Sequence, residues 1–241
     1  MSDHSSFDRL FRRWERRAVL SKDDKRAIEA LPWTNRTFAR ESYMLREGEP
    51  VSSCTLLMRG FAYRQKLVST GARQIISFHI PGEFIDLQNL MLEVADHNVQ
   101  SLGSSQVASV PRAAFLELMS ERAEVRKAIW LDTLIDSSVF REWVVNVGRR
   151  SAMARIAHLL CEYAVRRDAA GFGPPDRFDL PMTQEQMGDA TGLTSVHVNR
   201  KLHDLEEMGV IARDRRALHI RDRRRLMRIG DFDPAYLHGA A

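Results

Sequence analysis

The chain has 241 residues, enough for one large domain or two ordinary ones that each bury a core, and its 44% hydrophobic and 28% charged residues suit a globular protein. No apolar run reaches the roughly 18 residues of a membrane span, and Met1-Ser-Asp-His4 opens no signal peptide, so cytoplasmic location is expected. The net charge of +4 is mild but uneven: from Arg149 to Arg228 sixteen Lys and Arg stand against eleven Asp and Glu, and eight of the sixteen lie between Arg213 and Arg228, an excess suited to meeting phosphates.

In chain order, residues 5–31 predict two short helices. Phe7, Leu10, Phe11 and Trp14 recur at helical spacing, Ser21-Lys-Asp-Asp24 offers an N-cap with an acidic first turn, and Pro32 ends the second helix. From about Phe38 to Val110 short apolar segments alternate with turns. Leu56-Leu57-Met58 stops at Arg59-Gly60, a strand begins at Phe61-Ala-Tyr63, Ser69-Thr-Gly71 reads as a hairpin turn, and Ile75 to Ile80 stops at Pro81-Gly82. Val99 to Val110 adds one or two more, and short strands at this spacing predict a β-roll of jelly-roll type.

Pro111 opens a helical region, with Phe115, Leu116 and Met119 on the inner face of a first short helix. From about Ala123 to Val147 there is neither Pro nor Gly, and two apolar stripes coexist. Leu131, Leu134 and Ile135 would pack on the roll, whereas Trp130, Thr133, Ser137, Phe140, Val144 and Val147 form a seam suited to a second copy. A roll cannot easily cover both faces of a helix about seven turns long. Gly148 is expected to interrupt, with a further helix from Arg149 to Ala169.

The stretch from Leu180 to Ile211 carries the most chemistry. Thr183 and Gln186 have capping-box spacing, Met187 and Ala190 point inward, and Gly188 is small where a second helix must approach. Gly192 turns the chain, and Thr194 caps a second helix with Val198, Leu202, Leu205 and Met208 on its buried face. Its other face, with Ser195, Val196, Asn199, Arg200 and His203, has the size and polarity to enter a DNA major groove. Phe178-Asp-Leu180 reads as a short strand before the helix-turn-helix, Val210-Ile-Ala-Arg213 and Leu218-His-Ile220 predict a wing hairpin, and a basic helix follows from Arg221. The fold class is therefore α+β, with an N-terminal helical and β-roll domain (1–122), a long dimerisation helix (123–147) and a C-terminal winged helix-turn-helix domain (148–241).

This order resembles the Crp/Fnr family of bacterial transcription regulators. The resemblance rests on Arg46-Glu-Gly48-Glu, Leu57-Met-Arg-Gly60, Gly71-Ala-Arg-Gln-Ile-Ile-Ser-Phe78 and Pro81-Gly82-Glu83-Phe84-Ile85 in the roll, and on Arg155-Ile-Ala157 and Leu180 to Ile211 beyond it. It implies a homodimer joined by the long helix, a sensing roll, a double-stranded inverted repeat as target and RNA polymerase as a partner.

Departures from the family pattern limit the effector. Cyclic-AMP-binding members carry an Arg-Ser pair soon after the Gly-Glu, whereas residues 86–101 here contain no Arg or Lys. An anion buried there would lack its charge-assisted partner. The pocket positions are Glu83, which would hold a ribose, with Phe84, Asn98, Gln100 and, where the adenine-binding pair would lie on the long helix, Phe140-Arg141. Cyclic AMP is not expected. The only cysteines, Cys54 and Cys161, are far apart, which excludes an N-terminal iron–sulfur cluster and a disulfide framework; both are read as buried thiols. His79 and His97 are read as structural rather than as haem ligands, so neither cofactor nor metal is expected.

In the recognition segment the family's Glu-x-x-Ser/Gly-Arg stands as Val196-His-Val-Asn199-Arg200. Arg200 suits bidentate contact with guanine, Asn199 with adenine, and Val196 only a thymine methyl. Thr183, Thr194, Ser195, Lys201, His203, Arg213, Arg215 and Arg216 are expected at the DNA backbone. No phosphate-binding glycine loop, His-Glu-x-x-His or Gly-x-Ser-x-Gly motif is present, so no enzyme activity is expected. Two readings of the roll stay open: it senses an effector other than cyclic AMP, or it binds nothing and the protein is constitutive.

Overall fold

The computed structural model describes residues 4–239; the expected lack of a leader concerns residues 1–3 in part, and these lie outside the described ones. The described chain divides by its contacts into two units. One runs to Lys66 and resumes at Ser77–Ser137; the other takes Leu67–Ile76 and the chain from Ser138 onward.

In chain order, α1 (His4–Glu15) and α2 (Lys22–Glu29) precede seven strands, which belong to the first unit apart from residues 67–76: β1 (Thr34–Phe38), β2 (Tyr43–Leu45), β3 (Ser53–Arg59), β4 (Ala62–Leu67), β5 (Arg73–His79), β6 (Asn98–Ser101) and β7 (Ser105–Pro111). The capping box expected around Ser21 forms, with Asp24 as its return partner. The strands make two sheets, ordered β1-β7-β3 and β2-β6-β4-β5. Leu57, Ala62, Ile85, Val99 and Val107 fill the roll. A second cluster joins Leu10 and Trp14 of α1 to Phe84, to Phe115 of α3 (Arg112–Glu121) and to Val125, Ala128 and Ile129 of α4 (Ala123–Arg149).

Helix α4 has 27 residues, a length of roughly 40 Å. Gly148 lies inside it, not at a break. Nothing stands within 4 Å of where a Cβ would be, so the glycine costs only about 1 kcal/mol of helix propensity. The boundary comes instead from Ser151, which accepts from the Ala154 N–H and caps α5 (Ala152–Ala169). Leu134 does not pack on the roll; it is 57% exposed, because the inward stripe runs through Val125, Ala128, Ile129, Asp132 and Ile135. Strand β1 starts earlier than the expected Phe38: Thr34 to Thr37 are exposed and carry no apolar alternation to reveal it.

In the second unit, β8 (Arg177–Asp179), β9 (Ile211–Asp214) and β10 (Ala217–Ile220) form a three-stranded sheet ordered β8-β10-β9. It accompanies α6 (Gln184–Thr191), α7 (Ser195–Glu207) and α8 (Arg223–Ile229). Within this unit Arg73 donates to Asp189 of α6 at 2.7 Å, and Gln74 reaches the Ala190 carbonyl. Buried Glu162 of α5 accepts from Trp143 at 2.9 Å and from Tyr236 at 2.7 Å. Tyr236 sits in a 3-10 turn, Pro234–Leu237, that sequence periodicity did not reveal.

Candidate nucleic-acid interface

Local chemistry sets the geometry of α6 and α7. Thr183 and Gln186 form both halves of the capping box, and Thr194 accepts from the His197 N–H. Gly192 takes a left-handed φ of +66°, which closes α6 and redirects the chain within three residues. A side chain at Gly188 would collide with the Leu193 carbonyl oxygen, so glycine permits the two helices to approach. Met187, Ala190, Val198, Leu202 and Leu205 are buried as expected; Met208 is not, at 36% exposed, because α7 ends at Glu207.

The outer face of α7 is open. Val196 is 78% exposed, and Ser195, His197, Asn199, Arg200 and His203 are exposed with it. His197 was not anticipated as part of this face. Asn199 is braced across the motif: the Gln184 side-chain amide of α6 donates to its Oδ1 at 3.3 Å. The reach of one helix toward the other, fifteen residues away in sequence, gave no periodic signal.

The flanking cations divide into two groups. Lys201 donates to Asp204 at 2.6 Å, and this hydrogen bond holds the Asp204 carboxyl below its ordinary range. Arg213 binds Glu206 through both its backbone N–H, at 3.0 Å, and its guanidinium, at 2.6 Å, with the same effect on Glu206. These two expected phosphate contacts are already engaged within the chain. Arg215, at the wing tip with φ of +54°, and Arg216 are exposed. Thr183 and Thr194 have their hydroxyls committed to caps, and His203 lies 3.4 Å from Glu207.

The expected pocket residues of the roll each have other surroundings. Phe84 belongs to an aromatic core, 5.9 Å from the ring of Trp14 and 5.4 Å from that of Phe115, and Arg141 is exposed on α4. Asn98 accepts from the Glu47 N–H; Gln100 accepts from Tyr63 at 2.6 Å and from Gln65 at 3.0 Å. Glu83 is buried, but a guanidinium from α1 occupies it: Arg13 donates to it at 2.7 Å.

Segment 86–101 lacks cations, yet the roll interior does not. Arg64 of β4 pairs with Asp136 and donates to the Ile85 carbonyl. Burial pushes Asp136 up, but Arg64 beside it holds the carboxyl below its usual range. Arg64 and Gln65 are buried in β4, Ala62–Leu67, but the polar run Arg64-Gln-Lys66 in the sequence does not distinguish a buried pair from an exposed edge. His79 is buried against Ser77 and Glu83, and desolvation drops it to about 4. His97 pairs with Asp96 at 2.6 Å. Cys54 and Cys161 are buried free thiols, with burial pushing Cys161 up to about 12. Among the described residues no group of three or more His, Cys, Asp or Glu could hold a metal ion, and no helix is long and apolar enough to cross a membrane.

Comparison with known proteins agrees with this geometry. Residues 154–229 match the model of the Crp-like helix-turn-helix domain, and residues 35–122 that of the cyclic nucleotide-binding domain. The chain is 28% identical over 202 residues to the transcriptional activator protein FnrL of Cereibacter sphaeroides, spanning 81% of this chain and 80% of that protein. It is 30% identical over 177 residues to the nitrogen fixation regulation protein FixK of Bradyrhizobium diazoefficiens, spanning 73% of each. Among solved structures, FixK2 from Bradyrhizobium japonicum is similar at a TM-score of 0.75 and 25% identity, covering 83% of this chain and 98% of that one.

Proposed function

The chain belongs to the Crp/Fnr family of transcription regulators, DNA-binding proteins rather than enzymes, and on that premise we propose that it acts as a cytoplasmic homodimer on an inverted repeat. The open face of α7 carries this reading. Its inward residues are fully packed, whereas Val196, Asn199 and Arg200 are exposed, and Asn199 is held by Gln184 without being covered. They have the chemistry for a thymine methyl, an adenine edge and a guanine edge. Arg215, Arg216, Ser195 and His203 suit the flanking phosphates.

The second copy is inferred from α4. Trp130, Leu134, Phe140 and Val144 are 51%, 57%, 49% and 53% exposed, a row of large apolar side chains on one helix that water disfavours. Ser137 is exposed on the same row, and Val147 is half-buried at its end. A copy of the same helix covers such a stripe by coiled-coil packing, and two-fold symmetry then matches two α7 helices to two half-sites. Functionally, residues 1–122 are assigned to sensing, α4 to dimerisation and the remainder to DNA binding, with RNA polymerase as the onward partner.

For the roll, a cyclic-nucleotide phosphate is disfavoured because Arg13, Arg17 and Arg64 already answer Glu83, Asp132 and Asp136. The reading of an effector other than cyclic AMP remains, and the same ion pairs favour the second reading, a constitutive regulator. Selection from random duplexes tests the function: enrichment of an inverted repeat is expected, and a product pool with no common element would contradict it. Titration of candidate metabolites against the selected duplex then separates the two readings of the roll.

A further inference from the structure

We infer that the roll carries an acidic guanidinium-binding site that the protein fills with its own Arg13. The site has two walls. Glu83 leaves the roll just after Pro81-Gly82, and its side chain is 4% exposed; Asp132 projects from α4 and is 4% exposed as well. The Arg13 guanidinium spans them, with Nη1 2.7 Å from Glu83 Oε1 and Nε 2.7 Å from Asp132 Oδ1. One planar fork therefore ties the roll to the long helix through two separate N–H edges, which the single charge centre of a lysine does not reproduce.

The surroundings are built for that cation. Arg17, in the turn that follows α1, adds a contact of 2.8 Å to Asp132, and Trp14 Nε1 lies 3.4 Å from Asp132 Oδ2. The Ile80 N–H and His79 lie 3.3 and 3.4 Å from Glu83 Oε2. Helix α1 is seated against the site: a side chain at Gly82 would meet the Arg9 Cβ at 2.6 Å. Removing Arg13 would take one guanidinium from both buried carboxylates at once, which is disfavoured even with Arg17 still on Asp132, so occupancy of this site joins α1, roll and α4.

This inference rests on the reading of the roll as the controlling domain, and its test separates the two. Arg13→Ala is made in the full-length protein, and thermal stability and affinity for the selected duplex are measured with and without millimolar methylguanidinium. The expected result is a lowered Tm and at least a fivefold weaker complex, both restored saturably by methylguanidinium and not by methylammonium or sodium chloride at equal ionic strength. Wild type should not respond. Full affinity and unchanged Tm in Arg13→Ala, or the lack of any saturable rescue, would overturn the inference. If Arg13→Ala does not fold, Arg13→Lys carries the test: weaker duplex binding in a folded protein supports the site, and wild-type affinity removes it. If duplex binding is lost in every protein including wild type, the DNA reading fails, while rescue of Tm still decides whether the site exists.

Discussion

Gln184 on α6 donates to Oδ1 of Asn199 on α7 at 3.3 Å, so this exposed amide is braced by the neighbouring helix. The carbonyl oxygen keeps a second lone pair, and Asn199 can still accept from and donate to one adenine. Asn199→Ala is expected to weaken the selected complex by about 1–3 kcal/mol and to relax preference at one base pair. Gln184→Ala should cost less, about 0.5–1.5 kcal/mol, with the loss confined to the same base pair. Binding measured across all substitutions of the half-site checks both; a Gln184→Ala loss spread evenly over the site would remove the bracing role.

Arg200 and Arg216 should behave differently. Arg200→Ala is expected to lose about 1–3 kcal/mol at one position of the half-site, whereas Arg216→Ala should weaken all duplexes alike and reduce the salt slope by about one unit per chain. Arg213→Ala should change the salt slope less than Arg216→Ala, since its guanidinium already serves Glu206. Titrations at several salt concentrations read all three, and equal slopes for the Arg213 and Arg216 variants would contradict this ranking.

The helix-turn-helix was legible because its signals are local. A cap and its partner lie three residues apart, and Gly192 needs no distant contact to take its left-handed turn. The roll's strands were legible wherever apolar residues alternate, but not at β1, whose first four residues are exposed. Least legible was the interior of the roll. Arg13 meets residues 70 and 119 positions away, and no periodicity links side chains that only the tertiary fold brings together. Phe84 misled for the same reason: adjacent to Glu83 in sequence, it points into the aromatic core.

Val144→Glu places a charge in the exposed row of α4 without touching a buried residue. The expected outcome is a shift from dimer to monomer in sedimentation velocity, with helix content retained and duplex affinity reduced at least tenfold, because each half-site is then bound separately. A dimer of undiminished stability would move the interface elsewhere.

Asp86 sets a pH dependence. Burial raises its carboxyl to about 7 from 3.8, although the Thr55 N–H donates to it at 2.6 Å. The native state therefore binds the proton more tightly than the unfolded chain. This contribution to stability is complete below about pH 4 and is lost as pH rises toward 7. His79, lowered to about 4, runs the other way: its contribution is present above about 6.5 and is lost as pH falls through 4. The two offset each other in the wild type. Asp86→Asn keeps the acceptor and isolates the difference: the variant should gain roughly 2–4 kcal/mol relative to wild type between pH 4 and 7. Denaturant unfolding at both pH values checks this, and a constant difference would contradict it.

The central claim is that two copies of the α7 face read one duplex together, and stoichiometry tests it most directly. Sedimentation equilibrium of the protein with a selected, labelled duplex should give two chains per duplex. Duplexes carrying half-sites about 34–36 Å apart should bind far more tightly than those with one half-site removed. One chain per duplex, with equal affinity for one half-site and for two, would contradict the account.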